Sequence, residues 1–154
     1  INMGEVLEHL VKPGEMLKIA RQMLNSRGII CIIVPNDFNP LQEIIAGGKD
    51  KQKWWVAPPH HLNYFTRTTI CKLVEKCGFT PIKMATTFPL ELFIMMGMDY
   101  IGNDKVGRKI HEMRMEMELS FWKNNKQEIK DSIYESWENI DLGREIVLYA
   151  QKDG

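Results

Sequence analysis

Glu5, Glu8 and His9, in the string Glu5-Val6-Leu7-Glu8-His9, set two carboxylates and an imidazole three and four residues apart. On a helical turn those positions are neighbours, so the three side chains would share one face. Carboxylate oxygens and a neutral imidazole are ligands for Mg, Mn or Zn, and three on one turn make a partial site. A fourth ligand would come from His60 or His61, which follow Pro58-Pro59; the fixed φ of proline would hold the backbone that presents them. His9, His60 and His61 are also the candidate catalytic proton acceptors, because imidazole titrates near neutral pH. The structural alternative makes Glu5 and Glu8 solvated acids favoured by a helix start, with His9 a hydrogen-bonded filler.

Trp54, Trp55, Tyr64 and Phe65 flank the histidine pair, placed either to line a substrate pocket or to fill the core. Met95, Met96, Met98, Met113, Met115 and Met117 offer an adaptable apolar surface for a lid or a subunit contact, or else plain helix core. The chain has no Ser-His-Asp signature, phosphate loop, Cys-x-x-Cys or G-x-G-x-x-G, which removes most enzyme classes.

The elements that must position these residues follow from apolar spacing and stop signals. Ile1 to Met3 is the end of a strand and no more, and Glu5 to Val11 gives one or two helical turns. Pro13 suits the first position of a helix whose buried stripe is Met16, Leu17, Ile19, Ala20, Met23 and Leu24, with Gly28 as its stop. Ile29 to Val34 is an uninterrupted β-branched run, expected as a central parallel strand covered on both faces. Ligands bind outside the carboxyl ends of such strands, here at Pro35-Asn36. Asp37 to Ala57, with Gly47-Gly48, reads as a surface loop or short helix, and Lys49, Lys51 and Lys53 as a solvated edge. Thr66 is the expected N-cap of a helix facing Ile70, Leu73, Val74 and Cys77 inward and closed by Gly78. A strand follows at Phe79 to Phe88, with Pro81 suited to its start or to an edge. Two or three helices are expected over Leu90 to Asn139, broken at Gly97, Gly102 and Gly107, and a last strand at Glu145 to Gln151. This order is that of an α/β layer structure with a small sheet.

A chain of 154 residues is about one domain with one core. Twenty basic and twenty acidic side chains cancel, so no overall field draws the protein to nucleic acid or an anionic membrane. Cys31, Cys71 and Cys77 are odd in number and lack paired metal spacing; unpaired thiols in a reducing compartment, the cytoplasm, are the expectation. The longest apolar runs, Ile29 to Val34 and Phe93 to Met98, fall far short of the ~20 residues of a membrane helix. The N-terminal motif, which needs a strand before it, suggests that the chain begins within a domain.

Taken together, E-V-L-E-H-L, K-P-G, I-I-C-I-I-V-P-N, H-H-L-N-Y-F-T and L-V-E-K-C-G-F resemble the C-terminal half of class I S-adenosylmethionine-dependent methyltransferases. The branch is that of the ubiquinone-biosynthesis O-methyltransferases and many bacterial relatives. The likeness covers Met3 to about Thr87 and returns at Gly143 to Ala150. It implies a Rossmann-like fold in which Ile29 to Val34 is the fifth strand, the Phe79 to Phe88 region the sixth and Glu145 to Gln151 the seventh. The seventh would run antiparallel between the other two. Residues 1–154 would be one partial domain, with 89–142 a helical insertion capping the substrate pocket.

The resemblance implies S-adenosylmethionine as cofactor, touched by Met3, Gly4 and Glu5, and transfer of methyl to an O or N atom of a small-molecule acceptor. The family's glycine-rich loop and ribose-binding acid are not in this sequence, so the chain should bind the cofactor weakly or not at all. The Ile29 to Val34 strand should also present an open apolar edge to a second copy or to a separate N-terminal half. A narrower likeness, to terminal-ribose methyltransferases of small RNAs, implies that Glu5, Glu8, His9 and His61 hold a divalent cation. The rival readings are a non-catalytic dimerisation or scaffold module and an RNA ribose methyltransferase, the latter disfavoured by the neutral charge.

Overall fold

The computed structural model describes residues 1–47 and 53–154; Gly48, Lys49 and Lys51 lie outside them. The elements in chain order are β1 (Asn2–Gly4), a 3-10 turn (Leu7–His9), α1 (Pro13–Met23), β2 (Ile29–Pro35), α2 (Pro40–Ala46) and α3 (Arg67–Lys76). They continue with β3 (Phe79–Thr86), α4 (Glu91–Met95), α5 (Asp104–Lys123), α6 (Gln127–Asn139) and β4 (Glu145–Lys152). The sheet order is β1-β2-β4-β3. β4 runs antiparallel to both β2 and β3 between them, and β1 is parallel to β2. The last strand in sequence therefore sits in the middle, as expected for the seventh strand of the resembled fold.

The core lies on one face of this sheet. Ile30, Ile32 and Val34 of β2 and Ile146, Leu148 and Ala150 of β4 point to it, and Leu17 and Ala20 of α1 with Ile70 and Val74 of α3 cover it. Thr66 caps α3 as expected, in a reciprocal pairing with Thr69, which satisfies two N–H groups that the first helical turn leaves free. Gly78, at φ 81, ends that helix, where a Cβ would lie 2.5 Å from Arg21 Nε.

Four expectations are corrected. The Ile29 to Val34 strand is not covered on both faces: Ile29 is 45% exposed and Cys31 and Ile33 are half-buried, because α1 and α3 lie on one side only. A β-branched run shows that a strand can be doubly covered, but not that both covers are present. Nor is β2 an open edge. The N-terminal ammonium donates to Ile29 O (3.0 Å), Cys31 N–H to Ile1 O and Glu5 N–H to Ile33 O (both 2.9 Å), so the edge of the sheet is β1. A three-residue strand is too short to show a period, which is why its pairing escapes a sequence reading. Glu5 stands outside the helical turn at φ 52, so Glu5, Glu8 and His9 do not share one helical face. Gly107 lies inside α5 rather than between helices, since one glycine costs only about 1 kcal/mol in a long helix.

The helices α4 to α6 carry a second small core of Phe88, Phe93 and Ile110, with Tyr134 and Trp137 packed on it. An ion pair of Arg67 with Glu138 ties the end of α6 to the start of α3. Gly143, just before β4, lies against Thr86: a Cβ there would sit 1.2 Å from Thr86 Oγ1, whose hydroxyl donates to Glu145 O at 2.8 Å. Gly143→Ala is therefore expected to destabilise the fold by about 1–3 kcal/mol through overpacking, read as a lower urea midpoint at unchanged slope. Among the described residues no helix is long and apolar enough to cross a membrane.

Candidate active site

β1 and β2 end side by side, and the chain leaves each of them through residues that could do chemistry. After β1 comes the turn carrying Glu8 and His9. Asn63 locks it: its Nδ2 donates to Leu7 O (3.0 Å) and Leu10 O (2.7 Å), while Leu62 and Asn63 N–H donate to Glu8 O (2.7 and 3.0 Å). These bonds bring His61 beside a turn some fifty residues away in sequence. Asn63→Ala removes two of them and exposes buried carbonyls, so a loss of about 1–3 kcal/mol in chemical denaturation is expected.

In the resulting cluster, one ligand atom each from Glu8, His9 and His61 lie within 4.8 Å of one another. Glu8 is fully buried; the carboxyl of Glu5 lies against it and can donate to it only when protonated, and among the described residues its oxygens have no other hydrogen-bond donor. His9 Nδ1 lies 2.7 Å from His60 O. A carbonyl only accepts, so Nδ1 carries the proton and a neutral His9 turns the Nε2 lone pair toward Glu8 Oε1, 3.5 Å away. In that form two acceptors face each other there, an arrangement that a cation relieves. His61 completes the set, its ring 4.9 Å from that of His9 and its buried Nδ1 without a partner among the described residues. Burial, then the neighbouring His9, pushes the His61 pKa down, which keeps the imidazole in the form that ligates a metal. One carboxylate and two imidazoles, the carboxylate buried and without an N–H donor among the described residues, fit a divalent ion of the Zn or Mn type.

The other predicted residues fall differently. The carboxylate of Glu5 is not within that group of ligand atoms; its pKa is pushed up to about 7 by burial of the carboxyl and then by the charge of Glu8, although the residue as a whole is exposed. His60 is exposed and enters the site through its carbonyl, as the orienter of His9. Met3 is buried in the core, while Gly4 beside it is exposed. Of the aromatic residues, Trp55 and Phe65 are buried, and Phe38 joins Trp55 (5.7 Å) to Tyr64 (6.2 Å) edge to face.

After β2 comes a second polar group that sequence reasoning missed. Asn39 caps α2 by accepting from Gln42 N–H (3.0 Å), and Asp37 N–H donates to Phe65 O (3.1 Å), which fixes Asp37 and Gln42 at the strand end. From α4, Glu91 Oε1 accepts from Gln42 Nε2 (3.3 Å) and from Arg144 Nη1 (3.0 Å). Asp37, Gln42 and Glu91 are each 2% exposed or less. Burial raises the Asp37 pKa to about 6 against the lowering charge of Arg144. These residues are far apart in sequence and carry no spacing signal; the only cue was Asp37, directly after the strand end at Pro35-Asn36 where ligands bind.

Residues 1–84 match the model of the methyltransferase domain family, over half of the chain. The chain belongs to that family. A SAM-dependent methyltransferase from Archaeoglobus fulgidus superposes with a TM-score of 0.52 at 14% identity, over 98% of this chain and 57% of that one, a likeness of fold. The phosphoethanolamine N-methyltransferase 2 of Haemonchus contortus, solved with S-adenosyl-L-methionine, gives 0.49 at 14% identity, over 99% of this chain and 33% of that one. The chain thus spans about half the length of the first structures it matches. No curated protein matches it. The methyltransferase fold, with its mixed sheet and last strand inserted antiparallel, accounts for the topology described above.

Proposed function

We propose that this chain is the substrate-side, C-terminal part of a class I S-adenosylmethionine-dependent methyltransferase that methylates an O or N atom of a small molecule, with α4 to α6 (within 89–142) as the cap over the acceptor. The observation that carries this reading is the placing of Glu8, His9 and His61 at the strand ends of a methyltransferase-family chain. The cofactor supplies an electrophilic methyl group when bound. Only the end of β1, Gly4 and Glu5, is available to touch it, with Met3 offering backbone alone, so the described residues make a partial cradle. The protein's own part is to hold and orient the acceptor: a divalent ion on Glu8, His9 and His61 would lower the pKa of an acceptor hydroxyl, with Glu5 at the rim.

Titration calorimetry of this chain is expected to show no micromolar binding of S-adenosylmethionine; micromolar binding would overturn the partial-cradle reading. Extending the chain by the coding sequence immediately upstream is expected to restore binding and transfer of a labelled methyl group. Failure of the extended protein to bind cofactor would favour the scaffold reading.

The half-open sheet face around Ile29 and Cys31 and the outer rim of β1 are the surfaces for an N-terminal half or a second copy, so association is expected by light scattering, and a clean monomer counts against it. The three free thiols favour the reducing cytoplasm. An RNA acceptor is the second reading, resting on the same Glu8, His9 and His61 cluster; it predicts affinity for a small-RNA 3′ end that falls steeply with salt.

A further inference from the structure

We infer that the acceptor carries a protonated amine, received by the polar group at the end of β2. The inference rests on the methyltransferase reading for the word acceptor, but the binding site stands on its own geometry. Asp37, Gln42 and Glu91 gather round Arg144: Glu91 Oε1 takes hydrogen bonds from both Arg144 and Gln42, and Asp37 lies in the field of the same guanidinium. That leaves Asp37 Oδ2, Gln42 Oε1 and Glu91 Oε2, all buried and all acceptors, without a donor among the described residues. Arg144 answers one carboxylate of two. Buried acceptors in such surplus call for a ligand that brings several N–H donors and a positive charge, and an alkylammonium group is the smallest that does.

The residue after Asp37 opens a group of aromatic rings that also suits a cation. Phe38 follows Asp37 and meets Trp55 and Tyr64 edge to face, and the ammonium of Lys53 lies 5.1 Å from the centre of the Phe38 ring. A primary ammonium therefore already rests on the face of the residue that follows Asp37, as cation–π attraction favours. Trp54 and Trp55 carry two buried indole N–H groups without acceptors among the described residues. They would meet polar atoms on the rest of the acceptor.

The test is an NMR titration of the chain with n-propylammonium, 1-propanol and catechol. Saturable shifts of the Gln42 side-chain amide are expected with n-propylammonium alone, and an affinity at least tenfold weaker in Asp37→Asn and in Glu91→Gln. Glu91→Gln leaves Arg144 unpaired and risks the fold, so Asp37→Asn, whose folding the same spectra report, is the deciding variant. Equal shifts with 1-propanol, no saturable shift, or unchanged affinity in Asp37→Asn overturns the inference. An upstream-extended protein that methylates catechol and no amine also overturns it while leaving the methyltransferase reading intact. One that binds n-propylammonium in this way yet never binds cofactor leaves the amine site standing and sinks that reading.

Discussion

Manganese or zinc added to this chain is expected to raise its thermal midpoint, and His61→Ala to abolish the rise. At a hundredfold excess over its dissociation constant, a ligand that binds only the folded state contributes about 2.7 kcal/mol, which for a chain of this length is roughly 5–10 °C. The physical source is Glu8, a fully buried carboxylate whose oxygens have no N–H donor among the described residues and whose Oε1 lies 3.5 Å from His9 Nε2. A divalent ion held there would give both groups a ligand role in place of that contact. His61→Ala removes one ligand of three and leaves Glu8 and His9 as they were, so the apo midpoint should change little while the metal response disappears. The Nδ1–H of His9, held by His60 O, fixes the tautomer that presents Nε2, the kind of outer support that metal-binding imidazoles commonly have. Wild-type scanning calorimetry with no shift under Mg, Mn or Zn would remove the metal from the reading and leave a protonated His9 paired with Glu8.

The second large effect is on pH dependence. Asp37 has a folded-state pKa of about 6 against 3.8 for an ordinary aspartate. The folded protein thus holds this proton more tightly than the unfolded chain, so the stability it contributes is full below about pH 4 and is lost as pH rises through 6. The shift amounts to about 2–3 kcal/mol. Asp37→Asn, isosteric and uncharged, is expected to gain about 2 kcal/mol at pH 8 and little at pH 4, measured as urea midpoints across the range. Glu5, raised to about 7, has the same sign and carries the decline toward pH 7. A wild-type stability that is flat from pH 4 to 7 would show that Asp37 is not penalised when charged. A side chain whose ionised form destabilises the fold is an expected mark of a functional site. The variant that stabilises the protein should therefore be the one that weakens amine binding.

Much of the scaffold was legible before any coordinates. The helix of Pro13 begins at a proline, Thr66 caps α3, and the β-branched run of Ile29 to Val34 is a strand with its inward set at Ile30, Ile32 and Val34. Such features are local: capping chemistry and apolar period act within a few residues. The candidate site was half legible. Type and spacing singled out Glu5, Glu8 and His9 with either His60 or His61, and the narrower resemblance chose His61; ligand atoms of Glu8, His9 and His61 do converge, but the helical face that was to unite Glu5 with them does not form. Glu5 adopts a left-handed conformation instead.

What the sequence determined by itself, then, was the family likeness, the α/β order and the two histidine-bearing segments, because these are written in runs of neighbouring residues. Tertiary structure decided which of those residues meet. Asn63 joins the His9 turn to His61 through bonds to main-chain carbonyls, which any sequence offers. Likewise, Arg144, Glu91, Gln42 and Asp37 come from four separate segments of the chain and are brought together by the insertion of β4 beside β2. The burial that raises the Asp37 pKa, and that leaves Glu8 without an N–H donor among the described residues, is a property of packing. No spacing along the chain encodes it.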